Sequence, residues 1–98
     1  MTLNCAVIVA ENAEQAKTFK ASALAKGADA LEFRLDAFSV IPDDFSFFAA
    51  DVPTIATFRS ESDEERKETF DRALAAGADY IDIEADSGLR DIFPKEHV

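Results

Sequence analysis

Apolar runs of strand length alternate along the chain with stretches whose apolar residues recur every three or four positions. Residues 4–10 (NCAVIVA) form the first run. Asn12 then stands as a helix N-cap with Gln15 three positions on, the pairing of a capping box. Ala16, Phe19, Ala23 and Leu24 follow at helical spacing, and Gly27 falls where a helix closes on a left-handed residue. Residues 30–35 alternate as a strand does. Pro42-Asp43-Asp44 opens a predicted short helix ending near Asp51, with Phe45 and Phe48 on one side. Residues 53–59 (PTIATFR) read as a third strand. Ser62 with Glu65 makes a second capping box, Phe70, Ala73 and Leu74 continue it as an apolar stripe, and Gly77 closes that helix. Residues 80–84 give a fourth strand, and Leu89–Phe93 begins a helical stretch that Pro94 stops. The predicted order is β-α-β-α-β-α-β in one domain spanning 1–98, without linker or low-complexity stretch. Such alternation calls for a parallel sheet with helices packed outside it.

One phrase occurs twice. GADALEFRLD occupies residues 27–36 and GADYIDIEAD residues 77–86, each at a helix-to-strand junction. Successive strand residues point to opposite faces. Leu31, Phe33 and Leu35 therefore share one face, and Glu32, Arg34 and Asp36 the other. In the second copy Ile81 and Ile83 oppose Asp82, Glu84 and Asp86. A strand covered by helices on both faces is nearly all apolar, and these two are not. Their charged face lines water, a ligand or other charges. An exposed sheet face or a buried ion-pair network would satisfy it, but leaving three charges unpaired inside costs several kcal/mol each, on the order of that known for buried ions. The interior of a (β/α)₈ barrel is the place such a face fits, since its upper part is where active sites form. Arg59, at the end of the third strand, stands where catalytic and binding residues of a barrel gather.

Charge narrows the partners. The 98 residues carry 10 basic and 20 acidic side chains, a net −10, which argues against nucleic acid and anionic membrane. A lone cysteine, Cys5, excludes an internal disulfide, suits a reducing cytoplasm, and within its apolar run is expected in the core. No apolar stretch approaches the length of a membrane span, and no signal segment precedes the first strand, so a cytoplasmic chain is expected.

Three motifs, in order, carry a resemblance. LEFRLDAF resembles the second-strand signature of type I 3-dehydroquinate dehydratases, Glu-x-Arg-x-Asp; PTIATFRS resembles their third strand, Thr-x-Arg-Ser; ADYIDIE resembles their fourth. The resemblance implies roughly half of a (β/α)₈ TIM barrel, parallel β/α units lacking the family's C-terminal half. It also implies a shikimate-pathway lyase that dehydrates 3-dehydroquinate through a lysine Schiff base, with a histidine as base and acid, and with no metal and no organic cofactor. By position, Glu32, Arg34 and Arg59 would bind substrate hydroxyls, Asp82 would support the pocket, and Asp36 and Glu84 would stand behind them. The chemistry is coherent in itself: an iminium acidifies the neighbouring C–H, and a polyol needs donors and acceptors held in fixed geometry.

Departures from the pattern matter. Ser60-Glu61-Ser62-Asp63-Glu64-Glu65 replaces the family's Glu-Gly-Gly after the third-strand arginine, so Asp63 falls where a glutamate assists the histidine. Residues 61–68 (ESDEERKE) also suit an acid-rich helix start. Val9 and Ala10 stand where the family often has a small hydroxyl residue. Lys17, Lys20, Lys26 and Lys67 lie on helices, Lys95 follows a proline, and the single histidine, His97, lies in the tail, so none is placed as a Schiff-base lysine or catalytic base. Three readings stay open. The chain is the N-terminal part of such a dehydratase, inactive alone and completed by a C-terminal half; or a non-catalytic half-barrel that forms a homodimer or binding module; or an unrelated four-stranded α/β module.

Overall fold

In the computed structural model, residues 4–59 and 62–82 are described. Four strands form one parallel sheet in sequence order: β1 (Cys5–Ile8), β2 (Ala30–Arg34), β3 (Thr54–Thr57) and β4 (Tyr80–Asp82). Helix α1 (Ala13–Ala25) links β1 to β2, and α2 (Asp63–Ala75) links β3 to β4. This is the α/β half-barrel arrangement expected from the alternation. Of the predicted strand 80–84, Tyr80–Asp82 is described, and the rest of it, with Glu84, Asp86 and Leu89–Phe93, lies outside the described residues.

The caps form as the spacing predicts. Asn12 Oδ1 accepts from the Gln15 backbone N–H at 2.8 Å, and the Gln15 side chain accepts from Glu11 N–H at 3.0 Å. Ser62 Oγ accepts from Glu65 N–H at 3.2 Å.

The repeated Gly-Ala-Asp explains itself at this level. Gly27 and Gly77 take φ of +89° and +117°. Around each, two bonds close the helix in a Schellman turn: Gly27 N–H donates to Leu24 O (3.0 Å) and Ala28 N–H to Ala23 O (3.1 Å), mirrored by Gly77 to Leu74 (3.2 Å) and Ala78 to Ala73 (3.0 Å). The aspartate then fastens the next strand to its neighbour. Asp29 Oδ2 accepts from Asn4 N–H (3.0 Å), and Asp79 Oδ2 from Thr54 N–H (2.9 Å). The phrase is a joint that stops a helix and seats a strand.

Between β2 and β3 the predicted helix does not form. Two 3₁₀ turns, Leu35–Ala37 and Ser46–Phe48, take its place. Asp44 Oδ1 accepts from Ser46 N–H at 2.8 Å, an Asx-type bond that competes with helical winding. Three rings then outweigh helix propensity: Phe33 packs 4.9 Å from Phe47 and 5.0 Å from Phe48, with Phe45 5.7 Å from Phe48. Arg72 of α2 lies 4.3 Å above the Phe45 ring and donates to Pro42 O, tying the crossover to the next helix.

The core sits on one side of the sheet. Ile8, Leu31, Phe33, Ala56 and Ile81 face Ala16, Phe70, Ala73 and the phenylalanine cluster, and all are buried. Cys5 does not join them. It is exposed, because strand alternation turns Ala6 and Ile8 to the core and Cys5 and Val7 to the other side.

Candidate functional site

Register builds the opposite face row by row, since partners in a parallel pair share a face. Val7 pairs with Glu32, Glu32 with Ile55, and Ile55 with Tyr80. One row up, Arg34 pairs with Thr57 and Thr57 with Asp82. Arg59, two residues beyond Thr57, has the same parity. The charged residues thus gather toward the C-terminal ends of the strands, the end at which open parallel sheets and barrels build their sites.

Two ion pairs organise this row. The Arg34 guanidinium donates twice to Asp36, Nε to Oδ1 at 3.2 Å and Nη2 to Oδ2 at 3.1 Å. Arg59 donates to Asp82, Nη2 to Oδ2 at 3.1 Å and Nη1 to the backbone oxygen at 3.3 Å. Both pairs are partly open to solvent, with side-chain exposures of 38% and 27%, and of 40% and 46%. The hydrogen bonds that Arg34 donates to Asp36, then the Asp36 charge, raise the Arg34 pKa, and Glu32 and Asp82 add to the same field. Glu32 is half-buried and makes no hydrogen bond among the described residues. Cys5, two residues before Glu32's register partner Val7, lies on the same face, and its thiol is pushed up by partial desolvation first and then by the Glu32 charge.

Most of the expected residues meet here. Glu32, Arg34, Arg59 and Asp82 share the face. Asp36 does not continue it as a strand residue: β2 ends at Arg34, and Asp36 sits in the 3₁₀ turn, folded back as Arg34's partner. Asp63 is the first residue of α2. Glu84, Lys95 and His97 lie outside the described residues. Lys17, Lys20 and Lys67 are on the helices and Lys26 caps α1, so among the described residues no lysine lies on the charged face. Among the described residues, too, no three His, Cys, Asp or Glu side chains group as a metal site, and no helix is long and apolar enough to cross a membrane.

One residue of the row escaped the sequence reading. Thr57 is 1% exposed, and its hydroxyl has no hydrogen-bond partner among the described residues. Its signal in the sequence was twofold: it opens the Thr-x-Arg-Ser stretch of the third strand, and it has the parity of Arg59 two residues on.

The family model of type I 3-dehydroquinase matches residues 4–94 of this chain. The chain belongs to this family. No curated protein matches it. The type I 3-dehydroquinases are lyases of the shikimate pathway, built on the (β/α)₈ barrel, and four parallel strands in consecutive order, alternating with helical segments, are consistent with part of such a barrel. In this chain the face carrying Phe33 and Ile81 is the buried one, and Glu32, Arg34, Thr57, Arg59 and Asp82 stand on the opposite face.

Proposed function

We propose that this chain supplies the substrate-binding wall of a type I 3-dehydroquinase. Glu32, Arg34 and Arg59 hold the hydroxyls of 3-dehydroquinate, and Asp82 orients Arg59. The observation that carries the reading is the convergence of two arginines and two carboxylates on one sheet face at the C-terminal strand ends. Arginine donates in a fixed fork, while a glutamate beside it accepts from hydroxyl groups, so the set can distinguish a polyol's arrangement of oxygens.

The Schiff-base lysine and the histidine come, in this reading, from a complementary β/α segment, and the 98-residue chain does not turn substrate over by itself. The exposed first edge suits such a segment: Val7 and Val9 are 54% and 61% exposed beside an open cleft of about 690 Å³ that includes Phe19. A second copy suits it less, since each carries a net −10 and like charge opposes association. Asp63, at the start of α2, assists the histidine where the family uses a glutamate. The lone cysteine and the metabolic family together favour the cytoplasm.

The test has two stages. Titration of the chain with 3-dehydroquinate is expected to show saturable binding that Arg59→Ala or Glu32→Ala weakens about 10- to 100-fold, the range for losing a charge-assisted hydrogen bond. Adding a separately made C-terminal half is expected to produce the enone absorbance of the dehydrated product and an imine that borohydride traps. Absence of binding to the folded chain, with no turnover after mixing, refutes the reading.

A further inference from the structure

Thr57 sits between two ion pairs and belongs to neither. Its row neighbours are Arg34 and Asp82, and each has turned to another partner: Arg34 to Asp36, Asp82 to Arg59. The hydroxyl is left between them, on a residue 1% exposed, without donor or acceptor among the described residues. Thr54, three residues earlier on the core side, shows the usual outcome: its buried hydroxyl donates to Phe48 O at 2.8 Å. Buried polar groups are satisfied in the large majority of cases, and an orphan among charged groups points to something that pairs with it. A threonine hydroxyl has one donor and two acceptor positions, so it can serve either kind of ligand oxygen.

We propose that the Thr57 hydroxyl is the hydrogen-bonding floor of the ligand site, reached when a polyhydroxylated carboxylate draws Arg34 and Arg59 away from their resting carboxylates. This rests on the functional reading above. Exposed ion pairs are weak, so a ligand offering hydroxyl and carboxylate oxygens can exchange for Asp36 and Asp82 at small cost. Thr57 lies in register between Arg34 and Asp82, so a ligand that engages both arginines spans the strand that carries it. Part of the site's selectivity then comes from Thr57: a ligand with an oxygen at that depth satisfies the hydroxyl, and one with a hydrogen leaves it unpaired in a closed site. The resting structure carries the unpaired hydroxyl as a standing penalty that binding relieves.

Isothermal titration of the full chain with 3-dehydroquinate, using Thr57→Val and Thr57→Ser alongside Arg34→Ala, decides the matter. Thr57→Val keeps the shape and removes the hydroxyl, and affinity is expected to fall about 5- to 10-fold, a neutral hydrogen bond's worth. Thr57→Ser is expected to bind within about 2-fold of the parent. Free Thr57→Val is expected to melt no lower than the parent, because no internal bond is lost. If Thr57→Val binds like the parent while Arg34→Ala loses binding, the proposal falls and the functional reading stands. A Thr57→Val protein that melts well below the parent shows the hydroxyl to be already satisfied within the fold, and overturns the proposal. If the folded parent itself binds nothing, the functional reading fails and this one with it.

Discussion

Alanine substitution at each repeat glycine separates backbone strain from steric crowding, because the two joints share a turn but not its surroundings. Gly27 and Gly77 both hold positive φ, yet a Cβ at Gly27 meets nothing within 4 Å, while one at Gly77 lies 3.3 Å from Ala49 Cα and 3.5 Å from its Cβ. Forcing an L-residue into the left-handed region costs about 1–2 kcal/mol. Alanine recovers about 0.4–1 kcal/mol by restricting the unfolded chain. Gly27→Ala is therefore expected to destabilise by about 1 kcal/mol. At Gly77 the φ of +117° lies farther from the left-handed minimum, and the obstacle is backbone that cannot rotate aside. Overpacking adds about 1–3 kcal/mol there, for a total of about 2–4 kcal/mol. Urea unfolding at constant m reads the difference directly, and in a chain of this size each kcal/mol lowers the melting temperature by about 4–8 °C. Equal losses at the two sites, or a larger loss at Gly27, would refute the placement of the second joint against the aromatic crossover.

Two other expectations concern titration. Asp44 is held below the ordinary carboxylate range by its hydrogen bonds with Ser46 and secondarily by Lys17. A depressed folded pKa contributes stability above the unfolded value and loses it as pH falls through the folded one, so the crossover turn is expected to weaken below about pH 4. Asp44→Asn should flatten the acid limb of a urea-midpoint profile, and an unchanged limb would count against the turn. Cys5 is raised above the usual thiol value, chiefly by burial and then by Glu32. Glu32→Gln is therefore expected to speed alkylation of Cys5 at pH 8, since more thiolate is present. An unaltered labelling rate would mean that the two side chains do not share a face.

The parallel sheet and the polarity of its two faces were legible because a two-residue alternation and a capping residue are local properties. Glu32, Arg34 and Asp82 could be assigned to charged faces from strand parity, and Arg59 joined them from its place at the end of the third strand. Asp36 could not be separated from them that way, since the end of β2 depends on a carboxylate folding back onto Arg34 rather than on spacing. The helix expected over 42–51 failed for a similar reason: Phe45, Phe47 and Phe48 are drawn by Phe33, a partner distant in sequence, and that packing overrides propensity. Cys5 was misplaced because an unbroken apolar run does not show which of its faces is covered. Thr57 opens the Thr-x-Arg-Ser stretch but drew no role from it, since its unpaired hydroxyl exists only once Arg34 and Asp82 have chosen other partners.

The apolar edge at β1 has a colloidal consequence. Val7 and Val9 present aliphatic surface beside backbone groups available for pairing, the arrangement by which sheets join edge to edge. A net −10 on so small a body keeps copies apart only as far as the field reaches. That range is about 10 Å at 0.1 M salt and about 3 Å at 1 M. In isolation the chain is therefore dispersed by its charge rather than by its surface chemistry, and adding simple salt brings its edges within reach of one another. Dilute buffer, not high ionic strength, is the condition under which a single copy stays single.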